Sequence, residues 1–99
     1  MSWQATTLAE RDNVATALRS IAAGDVVRVR TPQGVREVVA REAIPLCHKI
    51  ALDAIDAGGD ILKYGCCIGE ARTAIACGAW VHVHNIVSRR GRLPAGPAQ

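Results

Sequence analysis

The chain has 99 residues, a formal charge of +3 and 49% hydrophobic residues, but no Phe and only 3% aromatics. A core of Val, Ile, Leu and Ala in so short a chain suits one compact β domain and leaves room for a covering partner. No stretch nears the roughly 18 apolar residues of a membrane span, and the opening MSWQATTLAE lacks the basic start and apolar run of a secretory signal, so the expected setting is cytoplasmic and not membrane-bound.

The basic surplus has a definite place. Up to Ser88 there are nine basic and nine acidic residues; Arg89, Arg90 and Arg92 supply the rest, within SRRGRLPAGPAQ. A neutral body argues against a nucleic-acid face. The expected organisation is a folded domain over 1–88 and a flexible tail over 89–99.

In chain order, Ala5 to Leu8 reads as a first strand, and Asp12 or Asn13 as the cap of a short helix starting at Val14. An internal repeat follows: ALRSIAAGDVVRV from Ala17, ALDAIDAGGDILKY from Ala51 and ARTAIACGAWVHV from Ala71. Each has Ala, then Ile four residues on (Ile21, Ile55, Ile75), then glycine, then an alternating strand. That spacing puts Ala and Ile on one side of a helical turn, which Gly24, Gly58 or Gly59, and Gly78 would end. The strands expected after them are Val26 to Arg30, Ile61 to Tyr64 and Trp80 to His84. Thr31-Pro32-Gln33-Gly34 is a tight turn joining Val26–Arg30 to Val35–Ala40 as a hairpin, and Ile44-Pro45-Leu46 leads by an extended segment into Cys47-His48-Lys49. The fold class expected is all-β with short helical turns.

Cys47, Cys66, Cys67 and Cys77 form no CxxC pair and fit no zinc module. They are expected as reduced thiols, buried as small apolar residues.

Three segments can carry chemistry. In Trp80-Val81-His82-Val83-His84-Asn85, a strand would put His82 and His84 on one face, about 7 Å apart, and Val81 and Val83 on the buried one. Such a pair can meet a metal or an anion, or simply face water. His48-Lys49 sets an imidazole beside a cation, which suits carboxylate binding and proton transfer or an exposed polar loop. Lys63-Tyr64-Gly65 ends a strand in a glycine turn, where Lys63 meets an anion or solvent.

Taken together, the order DNVATAL, IPLCHKIALDAI, ILKYGCCIG and WVHVHN resembles the small domain of the altronate and galactarate dehydratases over about residues 5 to 88. The resemblance implies an SAF-type β-clip fold and a lyase that removes water from a sugar acid. It implies a divalent metal, iron or manganese, held mainly by a larger dehydratase subunit that carries the catalytic bulk, and leaves a homo-oligomer open. Some relatives, including the small subunit of sulfolactate sulfo-lyase, are similarly short separate chains. On this reading His48 is the proton-transfer residue, His82 and His84 are metal ligands, and Lys49, Lys63, Tyr64, Gly65 and Asn85 bind substrate. A sulfo-lyase subunit, a non-catalytic sugar-acid-binding module and a small metal-binding protein are the other readings. Two positions depart from the family pattern: Ala9, where members commonly carry His, and Cys47, where they commonly carry Gly.

Overall fold

The computed structural model describes residues 3–88 of the chain; the tail expected over 89–99 lies outside the described residues. Within them are nine strands and no helix: β1 (Ala5–Thr6), β2 (Val14–Ala17), β3 (Val26–Thr31), β4 (Gly34–Val39), β5 (Lys49–Ala51), β6 (Asp60–Lys63), β7 (Cys66–Ala71), β8 (Trp80–Val81) and β9 (Ile86–Ser88). The all-β class is thus observed, without its helical component. One sheet runs β4-β3-β1-β2-β5-β8 and the other β6-β7-β9. All pairings are antiparallel except β1 with β3.

The β3–β4 hairpin forms as its sequence dictates. Val27 and Val29 alternate inward, and Thr31 pairs with Gly34 across Pro32-Gln33. The Thr31 hydroxyl accepts from the Gln33 amide at 3.2 Å and donates to the Gly34 carbonyl at 2.9 Å, closing the turn.

The helical turns are replaced by something more regular. The motif occurs four times, not three: Ala17-Ile21-Gly24, Ala40-Ile44-Cys47, Ala51-Ile55-Gly58 and Ala71-Ile75-Gly78, each opening on a strand two residues later. Each copy keeps one local turn bond, from the amide of Asp25, His48, Gly59 or Ala79 to the carbonyl three residues back, and its other backbone bonds go to a partner copy. Ile21 and Ile44 exchange both amide–carbonyl bonds at 2.9 Å, and Ile55 and Ile75 do so at 2.8 Å. The amides of Gly24, Cys47, Gly58 and Gly78 donate to Ala40, Ala17, Ala71 and Ala51 respectively. Pairing across copies satisfies these groups in extended geometry, so local helical spacing is overridden.

Each pair of copies seeds one core cluster. Ile21 and Ile44 pack with Val27, Val29, Ile50 and Leu52, while Ile55 and Ile75 pack with Val14, Ile61 and Val81. Every fully buried Ile, Leu or Val contributes roughly 1.5–3 kcal/mol by leaving water.

Asp12 and Asn13 cap no helix, because Val14 opens β2. Asp12 instead accepts from the Leu8 and Ala9 amides at 3.1 and 3.0 Å and from the Gly65 amide at 2.7 Å. The Asn13 amide brackets β6, accepting from Leu62 N at 2.7 Å and donating to the Asp60 carbonyl at 2.8 Å. The four cysteines are free, as expected, but all are exposed rather than buried. They fall in the turns at Cys47 and Cys77 and at the exposed start of β7, before the strand turns its buried face inward at Gly69 and Ala71.

Candidate functional site

The β5–β8 ladder builds one half of the site. Lys49 pairs with Val81 and Ile50 with Trp80, so the antiparallel register continues to set His48 opposite His82. Their rings lie 4.2 Å apart, centroid to centroid. The His82–His84 strand face does not form. β8 stops at Val81, and the Asn85 side chain closes a turn over 82–85: its Oδ1 accepts from His82 N and its Nδ2 donates to the Trp80 carbonyl, both at 2.9 Å. Val81 is buried as expected, but Val83 is 73% exposed.

The turn folds both histidines onto Trp80 instead. His82 stacks on the indole at 5.5 Å with a 9° tilt, and His84 lies at 4.9 Å with a 44° tilt. The indole Nε1–H donates to His48 Nδ1 at 3.0 Å. Asn85 is buried, and both ends of its amide are engaged with backbone, so it holds the turn that carries the imidazoles.

The β6–β7 turn builds the other half. Tyr64 and Gly65 both have positive φ, 53° and 81°, the pattern of a two-residue turn matched to the twist of a hairpin. Asp12 holds this turn through the Gly65 amide. Lys63 Nζ lies 5.1 Å from the centre of the Tyr64 ring, and the Tyr64 hydroxyl donates to Thr16 Oγ1 at 2.9 Å. Thr16 is the register partner of Lys49, so the turn is brought to the β2–β5 edge. Position 9 also borders it: a β-carbon on Gly65 would sit 3.5 Å from that of Ala9.

Electrostatics join the halves. Burial, and then the charge of Lys63, hold the Lys49 ammonium below its ordinary value. Desolvation, followed by His48, Lys49 and His84, lowers His82. The groups acting on these two are all basic. For Asp12, burial raises the carboxyl, but the amides of Gly65, Ala9, Leu8 and Tyr64 outweigh it and leave the group below the usual range.

The chain therefore gathers His48, Lys49, Lys63, Tyr64, His82 and His84, while Gly65 and Asn85 shape the backbone around them. An oxygen-rich anion suits this constellation. A metal does not suit it unaided: among the described residues no three His, Cys, Asp or Glu side chains are grouped to hold one, and His48 Nδ1 is already taken by the indole. Sequence reasoning missed Trp80, around which the three histidines assemble. Its signal is an aromatic residue beside His-x-His in a chain with only two Trp.

Among the described residues no helix is long and apolar enough to cross a membrane.

Comparison with known proteins places these elements. The model of the altronate/galactarate dehydratase SAF domain matches residues 3–89. Altronate dehydratase of Escherichia coli K12 is 42% identical over 74 residues, 75% of this chain and 14% of that protein. Galactarate dehydratase (L-threo-forming) of the same organism is 37% identical over 88 residues, 89% of this chain and 15% of that protein. The (2R)-sulfolactate sulfo-lyase subunit alpha of Paracoccus pantotrophus is 38% identical over 53 residues, 54% of this chain and 79% of the subunit. This chain therefore corresponds to a small part of the dehydratases and to most of the sulfo-lyase subunit.

Proposed function

The chain belongs to the altronate/galactarate dehydratase SAF domain family, and on that premise we propose that it is the small, substrate-holding subunit of a sugar-acid hydro-lyase completed by a larger catalytic part. A β-clip arrangement and a cytoplasmic setting go with this reading. The observation that carries it is the all-basic cluster in which Lys49 and His82 are surrounded by Lys63, His48 and His84.

Dehydrating a 2,3-dihydroxy acid means moving the proton α to the carboxylate to a base and breaking the β carbon–oxygen bond. The hydroxyl leaves as water once protonated, and the enol that remains tautomerises to a 2-keto acid. Lys49 and Lys63 hold the carboxylate by charge-assisted hydrogen bonds, which also makes the α proton easier to remove. His48 provides a hydrogen-bonding or proton-transfer group beside it, and Tyr64 and His82 flank the two lysines. Any divalent ion of the assembled enzyme takes its ligands mainly from the larger part, and the steps open to this chain rely on its own residues.

A second reading is favoured by one observation: the match spans 79% of a sulfo-lyase subunit that is itself a short chain. There the same cluster would hold the carboxylate while sulfite, not water, departs. Co-purification from native extract, mass spectrometry of the partner and assays with altronate, galactarate and sulfolactate test both. The expected result is a larger dehydratase-like partner and turnover only in the complex. Turnover of a sugar acid by this chain alone overturns the proposal.

A further inference from the structure

Trp80 is held at its amide, its carbonyl and its ring. Its amide donates to Glu42 Oε2 at 3.0 Å, its carbonyl accepts from Asn85 Nδ2 at 2.9 Å, and its ring packs against the larger core cluster. The β5–β8 register places it diagonally across from His48. The indole N–H, which can only donate, therefore has a fixed direction, and it meets Nδ1 of His48 at 3.0 Å.

A neutral imidazole carries one hydrogen. Where Nδ1 accepts, that hydrogen sits on Nε2. An imidazolium, with N–H on both nitrogens, cannot accept this bond at all. We infer that Trp80 is a positioning residue that holds His48 as the neutral Nε2–H tautomer, so that His48 meets the substrate as a hydrogen-bond donor and not as the base. The inference rests on the reading of His48 as a substrate-facing group. It sharpens that reading: His48 points its N–H at a carboxylate or hydroxyl oxygen, and the base that takes the α proton comes from elsewhere.

Long-range proton–nitrogen NMR on the full chain labelled with 15N-histidine, at about pH 8 where imidazoles are neutral, reads the tautomer directly. The expected result is His48 almost wholly as Nε2–H. Trp80→Phe keeps the ring and removes the donor, and should shift the tautomer ratio toward that of free imidazole by roughly two- to tenfold, the worth of one hydrogen bond. Nδ1–H on wild-type His48, or an unchanged ratio in Trp80→Phe, overturns the inference. Nδ1–H on wild-type His48 overturns the inference even if that variant does not fold, and His48 Nε2–H signals compared between wild type and Trp80→Tyr, a second ring without the indole donor, then carry the test. His48→Ala in the assembled enzyme tests the underlying reading separately: unchanged turnover with the expected tautomer removes the catalytic role of His48 and leaves the Trp80 effect standing.

Discussion

The Tyr64 hydroxyl donates a 2.9 Å hydrogen bond to the hydroxyl of Thr16, tying the turn of the smaller sheet to the second strand of the larger one. Because Thr16 pairs with Lys49, this bond also sets the separation of Lys49 and Lys63, the two cations expected to share a carboxylate.

Tyr64→Phe keeps the ring beneath Lys63 and removes only that bond. The residue is 39% exposed, so the loss in stability should be at the low end for a hydrogen bond, about 0.5 kcal/mol. Sugar-acid affinity should fall by more than this, since the two lysines are no longer held in register. Denaturant melts and binding isotherms on the variant check both, and an unchanged affinity would mean that the turn needs no tether.

Cys47 has φ of 70°, in the place where Gly24, Gly58 and Gly78 have 84–89°. A β-carbon in the left-handed region costs about 1–3 kcal/mol, against the roughly 0.5–1 kcal/mol that glycine loses in chain entropy. Cys47→Gly should therefore stabilise the domain by about 1 kcal/mol, or several degrees in Tm. Cys47→Val should destabilise it, because branching at the β-carbon crowds the same conformation. A lower Tm for Cys47→Gly would contradict the account of the fourth copy.

The fourth copy explains what was legible and what was not. The Thr31–Gly34 hairpin and the Lys63-Tyr64-Gly65 turn are local devices, and their residues announce them. The Ala-to-Ile spacing of four is ambiguous, serving a helical turn or a bridge, and the choice is made by partner copies distant in sequence. The fourth copy hides because Cys47 replaces the glycine that marks the others. His82 and His84 mislead for a different reason: the Asn85 side chain ends the strand that would have aligned them. Trp80 looks like a core aromatic, and its tie to His48 requires the β5–β8 register.

Asp12 sets the acid limb of stability. Its folded carboxyl titrates below the ordinary 3.8 because four backbone amides, those of Gly65, Ala9, Leu8 and Tyr64, outweigh the effect of burial. The unfolded chain therefore binds this proton first as pH falls. The stability Asp12 contributes is complete above the unfolded value and is lost as pH drops through the folded one. Asp12→Asn should lose about 1–3 kcal/mol at neutral pH, by setting an NH2 group against backbone donors. The gap to wild type should close below pH 3.8; a gap independent of pH, in urea melts across the acid range, would assign the effect to packing.

On the proposed function, the charge that holds an anion at neutral pH belongs to the lysines. His82 titrates below 6.5, through desolvation first and then His48, Lys49 and His84, so it is uncharged there. Lys49 titrates below 10.5, through burial first and then Lys63. Sugar-acid binding should thus fall on the alkaline side earlier than for a free lysine. NMR titration of the Lys49 side chain with and without ligand follows this. A loss of binding centred near pH 6.5 would place an imidazolium in the role given to Lys49.

The central claim is that this chain supplies the carboxylate-holding part of a hydro-lyase site. Its most direct measurement is sugar-acid turnover by the larger catalytic part reconstituted with wild-type chain, with Lys49→Met, with Lys63→Met and with no chain. Each Met keeps the apolar stem and removes one charge-assisted bond, so turnover should fall roughly ten- to hundredfold at unchanged Tm, and should vanish without the chain. Full turnover by the larger part alone, or by both lysine variants, would contradict the account.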